Sequence, residues 1–248
     1  MTVSSTKISD ICLIAGKIML VNGGETYRVE DTMSRIAKAF GYANAHSFVT
    51  PTGIIFALED SEATKFVRIS ERTVNLEKVT LVNSISRQIA EGTLSVEEAI
   101  QHLDEIDNTP HSYSIPLRII ASGLVSACFL IMFLGQWKDF VPAFIAGSIG
   151  FTCFIYFHKV IKIQFFAEFL ASFVIGTLAY WMVHLGVGAQ MDKIIIGSVM
   201  PLVPGLLITN AVRDLMAGHL VSGLSKGAEA FLTAFAIGSG VAVVFTIY

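Results

Sequence analysis

Residues 117–136 read LRIIASGLVSACFLIMFLGQ, a run of apolar and small residues whose single charged residue is Arg118. As a helix, about 20 such residues cross the roughly 30 Å of hydrocarbon in a bilayer. Four further stretches of similar character follow toward the C-terminus, at about 140–157, 165–185, 194–212 and 228–248. Residues 117–248 are therefore predicted to form an all-α membrane domain with five transmembrane helices.

The distribution of charge separates this half of the chain from the residues before it. The 248 residues are 53% hydrophobic and 15% charged, with a net charge of −5 over residues 1–116 and +2 over residues 117–248. Such a composition is far from that of an ordinary soluble protein. Neither half has the basic excess of a nucleic-acid-binding surface. The three cysteines lie far apart and form no C-x-x-C pair, so we expect no disulfide framework, metal site or cofactor.

Residues 1–108 are predicted to form a soluble, cytoplasmic α+β domain, which a linker at residues 109–116 joins to the membrane domain. Helical periodicity and β-like runs predict helices at 11–21, 25–40 and 76–90, a last helix from Ser95, and strands at 46–50, 53–58 and 64–70. Ser95 and Glu98 match a capping box, and residues 59–62 are predicted to form a hairpin loop. The predicted fold class is thus an α+β cytoplasmic domain followed by an all-α polytopic membrane domain of five helices.

The basic residues between the predicted spans indicate an orientation, because cytoplasmic loops carry an excess of lysine and arginine. If the N-terminal domain lies inside, the inside loops carry more basic residues than the outside loops. The inside loops hold Lys159, Lys162, Arg213 and Lys226, and the outside loops hold Lys138 and Lys193. Five spans then place the C-terminus outside. Such a half could pair with a second small membrane subunit of opposite orientation, form a homo-oligomer, or stand alone as a bundle.

The fourth predicted span contains prolines and polar residues that a plain membrane helix does not need. Pro201 and the pair Pro204-Gly205 interrupt it, and proline removes a helical hydrogen bond. The segment is either a kinked helix or a broken one whose freed backbone groups face a substrate. With Pro204 and Gly205, the polar side chains that follow are candidates for substrate binding, namely Thr209, Asn210, Arg213 and Asp214. The alternatives are a helix end anchored at the interface, or mutual neutralisation of Arg213 and Asp214.

Two carboxyl groups of the membrane half are candidates for binding a coupling proton. Glu168 lies near the start of the third predicted span and Glu229 near the start of the fifth. Ionisable groups inside a membrane bundle are usually functional. The alternative is that these side chains extend into the lipid headgroups.

A group of charges in the soluble domain allows a different kind of site. Four charged residues fall close together on one predicted helix, namely Arg28, Glu30, Asp31 and Arg35. The carboxylates could act as acid and base around a bound polar group. The alternative is a solvated helix face with i,i+4 charge pairs such as Asp31 with Arg35.

Three stretches of the sequence resemble the threonine/serine exporter family. They are GETYRVEDTM at residues 24–33 followed by Arg35-Ile36-Ala37, TPTGI at residues 50–54, and Pro204-Gly205 through TNAVRDL at residues 209–215 to Gly218, Ser222-Gly223 and Glu229-Ala230. The resemblance spans nearly the whole chain. It is closest to the shorter members, which have a soluble domain plus five spans and work with a separate small membrane subunit.

The resemblance implies a multi-pass protein of the bacterial inner membrane that exports small polar metabolites with the proton gradient. Longer relatives export threonine and serine, and the short two-subunit type is associated with dicarboxylates such as succinate. In this hypothesis the chain is not an enzyme, Arg213 attracts a substrate carboxylate, and Thr209 and Asn210 hydrogen-bond the substrate. The alternatives are a membrane-anchored enzyme or a sensor whose active or binding site lies in the soluble N-terminal domain.

Overall fold

The computed structural model describes residues 5–58, 64–109 and 113–247. These residues fall into two compact units, each built from two separate stretches of chain. The first unit takes its residues from 1–112 and 206–227, and the second from 113–205 and 228–248. In chain order the α-helices and strands of the described residues are α1 (Ser5–Val21), α2 (Thr26–Ala39), β1 (Ala45–Thr50), β2 (Gly53–Leu58), β3 (Lys65–Arg68), α3 (Leu76–Ala90), α4 (Val96–Asn108), α5 (Ile115–Met132), α6 (Phe140–Ile161), α7 (Gln164–His184), α8 (Met191–Val199), α9 (Gly205–Met216) and α10 (Leu220–Ile247).

Helix α1 forms the centre of the first unit. It packs against α2, α3 and α4 and against strand β2, and 10 of its 17 residues are buried. The helix predicted at residues 11–21 is therefore confirmed, but it begins earlier and is covered on more than one face. Burial raises the pKa of the Cys12 thiol to about 12, so this side chain packs as an un-ionised apolar group.

The sheet of the first unit is an antiparallel meander in the order β1-β2-β3. Its inner face contributes Ile54 and Phe56 to the core around α1. The strands predicted at 46–50, 53–58 and 64–70 are confirmed within one to two residues. The hairpin loop predicted at residues 59–62 lies outside the described residues, and so do residues 110–112 of the predicted linker.

The capping box predicted at Ser95 and Glu98 is confirmed at the start of α4. The Ser95 hydroxyl accepts from the backbone N–H of Glu98 at 3.3 Å, and the Glu98 carboxylate accepts from the backbone N–H of Ser95 at 2.9 Å. These bonds satisfy donors that the first turn of a helix leaves without partners. They stabilise the ionised carboxylate, so the pKa of Glu98 is lowered.

The second unit holds the helices that are long and apolar enough to cross a membrane. Four helices of the described residues qualify, namely α5, α6 with the turn before it, α7 and α10. Helices α5 and α6 approach so closely at Gly147 that a Cβ atom there would overlap the side chain of Ser126. Small residues at such contacts are typical of membrane helix pairs. Helix α10 begins at Leu220, eight residues before the predicted fifth span, so its first turns belong to the first unit.

The predicted fourth span is not a single helix. Helix α8 ends at Val199, one 3₁₀ turn covers Met200–Leu202, Val203 is extended, and α9 begins at Gly205. The segment is therefore broken rather than kinked, as the prolines allow. The two helices count as a fifth span only if the bent pair is taken as one.

The fold class predicted from the sequence is wrong. The described residues are mostly helical with a small three-stranded sheet, and four helices qualify as spans by themselves rather than five. Residues 206–227 belong to the unit that contains the sheet. The physical reason lies in α9, whose buried Asn210 and Asp214 find their hydrogen-bond partners in that unit. A soluble α+β domain followed by a separate five-helix domain therefore does not describe this chain.

Candidate functional site

The polar face of α9 is held by the loop between α1 and α2. Asn210 and Asp214 share one face of the helix because they are four residues apart, and both are buried. The Asn210 amide donates to the carbonyl of Gly23 at 2.9 Å. The Asp214 carboxylate accepts from the backbone N–H of Thr26 at 3.0 Å and from its hydroxyl at 2.8 Å. Because Thr26 begins α2, Asp214 also satisfies a donor at a helix N-terminus.

A lysine of α10 neutralises this aspartate. The Lys226 ammonium lies 2.7 Å from the Asp214 carboxylate and 3.2 Å from the Thr26 hydroxyl. The side chains of Asp214 and Lys226 are 0% and 4% exposed. Both charges are thus removed from water and paired, as buried charges must be. The partner of Asp214 is Lys226 and not the adjacent Arg213 that the sequence offered as an alternative.

Two arginines share the buried carboxylate of Glu25. Arg28 lies 3.0 Å from one carboxylate oxygen, and Arg213 binds the other. Burial tends to raise the pKa of Glu25, but hydrogen bonds from Arg213 and Arg28 outweigh it, so the pKa is lowered and the group stays ionised at neutral pH. The Arg213 and Arg28 side chains are 56% and 40% exposed. Two exposed guanidinium groups on one carboxylate leave a local charge of +1, which suits recognition of an anion.

The remaining charged residues of α2 that were predicted to form a site, Glu30, Asp31 and Arg35, separate into two pairs. Glu30 accepts from the backbone N–H of Val49 at 3.0 Å and lies 3.9 Å from His219. Burial raises the pKa of Glu30, and the Val49 hydrogen bond offsets this only in part. Asp31 and Arg35 form an exposed i,i+4 pair, which is the solvated alternative considered for these residues. The described structure does not bring all four predicted residues to one point.

The other residues of the predicted substrate site lie at the start of α9. Pro204 follows extended Val203, and Gly205 is the first residue of the helix. Thr209 is exposed on α9. The interruption between α8 and α9 is therefore followed directly in sequence by the helix that carries the buried Asn210 and Asp214.

The two candidate carboxylates of the membrane half belong to the second unit. Glu168 on α7 is buried and accepts from the Gln164 amide at 3.0 Å. Glu229 on α10 is half-buried and close enough to Glu168 to interact with it electrostatically. The Thr233 hydroxyl, one turn further along α10, also faces the Glu168 carboxyl. Among the described residues, no group of three His, Cys, Asp or Glu side chains could hold a metal ion.

The sequence analysis did not select four residues of the first unit that contact the predicted site residues. They are Glu25, Thr26, His219 and Lys226. Glu25 and Thr26 lie in the stretch at residues 24–33 that carries the family resemblance, which was a usable signal. Lys226 is a lone cation inside apolar sequence, a position that usually has a buried partner. The pairing itself depends on contacts across about 190 residues and has no local signature.

Comparison with known proteins identifies relatives of the whole chain. The family described as "Putative threonine/serine exporter" matches residues 10–248. A "Probable succinate transporter subunit YjjP" of Klebsiella aerogenes is 27% identical over 97% of this chain and 94% of its own length, and the protein of that name in Escherichia coli is 26% identical over the same shares. The "Threonine/serine exporter" of Corynebacterium glutamicum is 22% identical over 91% of this chain and 48% of its own length.

No solved structure matches the chain. The family match covers both compact units, including α9 and the loop between α1 and α2. The resemblance found in the sequence is therefore confirmed, and the apolar helices fit it. The chain belongs to the threonine/serine exporter family and is a multi-pass membrane protein.

Proposed function

We propose that the chain is one subunit of an exporter of small polar metabolites that carry a carboxylate, either dicarboxylates such as succinate or the amino acids threonine and serine. The relatives that it covers almost completely are named as subunits of a succinate transporter. Others, which it covers by about half, are named as threonine/serine exporters. Both substrate classes share an ionised carboxylate, which sets the chemistry that the site must recognise.

The observation that carries the proposal is the exposed arginine pair on Glu25. Arg213 and Arg28 each keep donors accessible while the buried carboxylate fixes their position. A guanidinium binds a carboxylate through two parallel hydrogen bonds. Arg213 therefore attracts the solute carboxylate, with Thr209 on the same helix as an additional hydrogen-bonding group. Asn210 and Asp214 act by holding α9 in place, since the groups described above occupy them.

The proposed exporter works as an assembly across the membrane. The N-terminal residues lie in the cytoplasm and the C-terminus outside, in line with the basic residues of the loops. A second small membrane subunit of opposite orientation, or a second copy of the chain, completes the pathway. The word "subunit" in the names of the relatives supports a partner. The proton gradient drives export, and Glu168 and Glu229 are the groups that bind the proton.

Transport explains the charges of the first unit better than catalysis does. In the enzyme hypothesis Arg28, Glu30 and Asp31 act on a bound substrate. Arg28 instead binds Glu25, Glu30 binds Val49, and Asp31 pairs with Arg35. The relatives are named as transporters and an exporter. We therefore assign the chain to transport rather than to an enzyme class.

Efflux from cells tests this proposal. Cells that express the chain, with and without a small membrane protein as candidate second subunit, are loaded with labelled succinate, threonine or serine. We expect efflux of one substrate class, dependent on the second subunit and abolished by a protonophore. Arg213→Gln should lower that efflux by about tenfold or more, the effect of losing one charge-assisted contact.

The matched control is Arg87→Gln, which removes an exposed arginine from α3 of the same unit. It should export like the wild type. Equal efflux from Arg213→Gln and wild type, at equal membrane levels, would remove Arg213 from the substrate site. No efflux of any of the three solutes from the wild type would contradict the proposed function itself.

A further inference from the structure

One buried carboxyl oxygen of the second unit lacks the partners that such atoms normally have. Glu168 on α7 is 2% exposed, and Gln164 donates to its Oε1 atom at 3.0 Å. Its Oε2 atom makes no hydrogen bond of ordinary distance and angle to any described residue. A buried carboxylate oxygen without a donor is unfavourable, above all inside a helix that can cross a membrane.

Two hydroxyl groups at the same helix contact share this deficiency. Ser172 lies one turn after Glu168 on the same face of α7, and Thr233 of α10 faces the carboxyl. The two residues are 0% and 1% exposed. The Thr233 hydroxyl approaches the Glu168 carboxyl as a hydrogen-bond donor but lies outside ordinary hydrogen-bond geometry, and the Ser172 Oγ atom has no hydrogen-bond partner among the described residues. The two helices are so close here that a Cβ atom on Gly240 of α10 would overlap the Phe169 carbonyl oxygen of α7.

The charged groups around Glu168 do not include a lysine or an arginine of the described residues. Glu229 of α10 is a second carboxylate, and His158 of α6 is a basic group at longer range. Helix α8 also packs on α7, but its charged residues Asp192 and Lys193 lie in its first turn, which follows the opposite end of α7. Glu168 therefore has no fixed cation to balance it, and a like charge is nearby.

We propose that Glu168, Ser172 and Thr233 form the binding site of a transported proton, an assignment that rests on the exporter function proposed above. A proton on Oε2 removes the unbalanced charge and supplies a donor to one of the buried hydroxyl oxygens. On uptake the O–H bond at Glu168 forms as the O–H bond of the Glu229 carboxyl group breaks, and release reverses this transfer. Glu229 is half-buried rather than fully enclosed, so it exchanges the proton between Glu168 and water and acts as a positioning and relay group.

Two modes of transport separate proton coupling from solute binding. The chain and its small partner subunit are reconstituted in vesicles, with the solute on both sides for exchange, or with an imposed pH gradient for net export. Glu168→Gln keeps the size of the side chain and mimics the protonated form. We expect exchange within about twofold of the wild type, and a fall of about tenfold or more in gradient-driven export. Glu168→Asp keeps a carboxyl group and should retain part of the gradient response.

The control is Asp192→Asn, which removes an exposed carboxylate from α8 of the same unit and should leave both modes unchanged. A wild-type response to the pH gradient in Glu168→Gln would overturn the proposal. So would export that follows a sodium gradient instead of a proton gradient.

Infrared spectra of the purified protein give a readout that does not depend on transport. Protonated carboxyl groups absorb separately from carboxylates. The wild type should show a carboxylic acid band at neutral pH that is missing in Glu168→Gln and displaced in Glu168→Asp. Identical bands in the three proteins would overturn the assignment even if the exported solute had been misidentified. Absence of all transport with the band present would contradict the exporter function alone.

Discussion

At the scale of single residues, the first unit depends on the charges of Asp214 and Lys226, which have almost no contact with solvent. The carboxylate has three donors, two of them from Thr26, and the ammonium has two acceptors. Such a pair adds little net stability compared with apolar residues, but removal of one partner leaves a buried charge unbalanced. The pair therefore specifies where α9 and the start of α10 pack.

Asp214→Asn is expected to lower the free energy of unfolding by about 3–5 kcal/mol, because Lys226 keeps its charge and loses its counterion. Lys226→Met should be destabilising for the converse reason. The double variant should recover much of the loss, since neither charge then remains. Unfolding of the detergent-solubilised chain, followed by circular dichroism against temperature, measures all three.

Glu97→Gln serves as the control, because the Lys7–Glu97 pair of the same unit is exposed at 56% and 69%. Exposed pairs contribute about 0–1 kcal/mol. If the double variant were less stable than both single variants, the two charges would not be coupled, and the buried pair would lose its assigned role.

At the scale of helices and strands, local signals in the sequence were sufficient for the N-terminal part of the first unit, residues 5–58 and 64–109. The capping box at Ser95, the turn after α2 at Gly41 and the apolar periodicity each depend on residues close together in the chain. The placement of α9 has no such signal. Its apolar residues led to the prediction of a membrane span, but Asp214 of this helix bonds to Thr26, 188 residues away. Because its buried polar groups have their hydrogen-bond partners near the N-terminus of the chain, α9 belongs to the first unit and not to the predicted span.

The contact between α7 and α10 is an element-scale feature with a built-in comparison. A Cβ on Gly240 would overlap the backbone of α7, whereas a Cβ on Gly238 of the same helix meets no atom within 4 Å. Gly240→Ala should separate the two helices and lower the melting temperature. Gly238→Ala should leave the melting temperature unchanged or raise it, because alanine favours a helix over glycine by about 1 kcal/mol.

Thermal unfolding of the two glycine variants side by side checks this contact. Since Gly240 lies beside Ser172, the first variant should also weaken the gradient response of export. Equal melting temperatures for the two variants would show that the close approach of α7 and α10 does not contribute to stability.

At the scale of the whole molecule, the number of membrane crossings depends on the bent pair of α8 and α9. Helices α5, α6, α7 and α10 are each long and apolar enough to cross. The bent pair adds a further crossing only if its two helices are taken as one span. The orientation proposed above, with the N-terminal residues inside and the C-terminus outside, requires this pair to cross.

The termini should therefore lie on opposite sides of the membrane, and reporter fusions can test this directly. Alkaline phosphatase is active only outside the cytoplasm, whereas green fluorescent protein does not become fluorescent after export through the general secretion route, so its fluorescence reports a cytoplasmic position. We expect the N-terminal fusion to be fluorescent and a C-terminal phosphatase fusion to be active. A C-terminus on the same side as the N-terminus would mean four crossings, with α8 and α9 forming a re-entrant pair. In that case, reporter fusions within the loop at residues 185–190 test whether α5, α6 and α7 all cross. Three crossings from a cytoplasmic N-terminus place this loop outside.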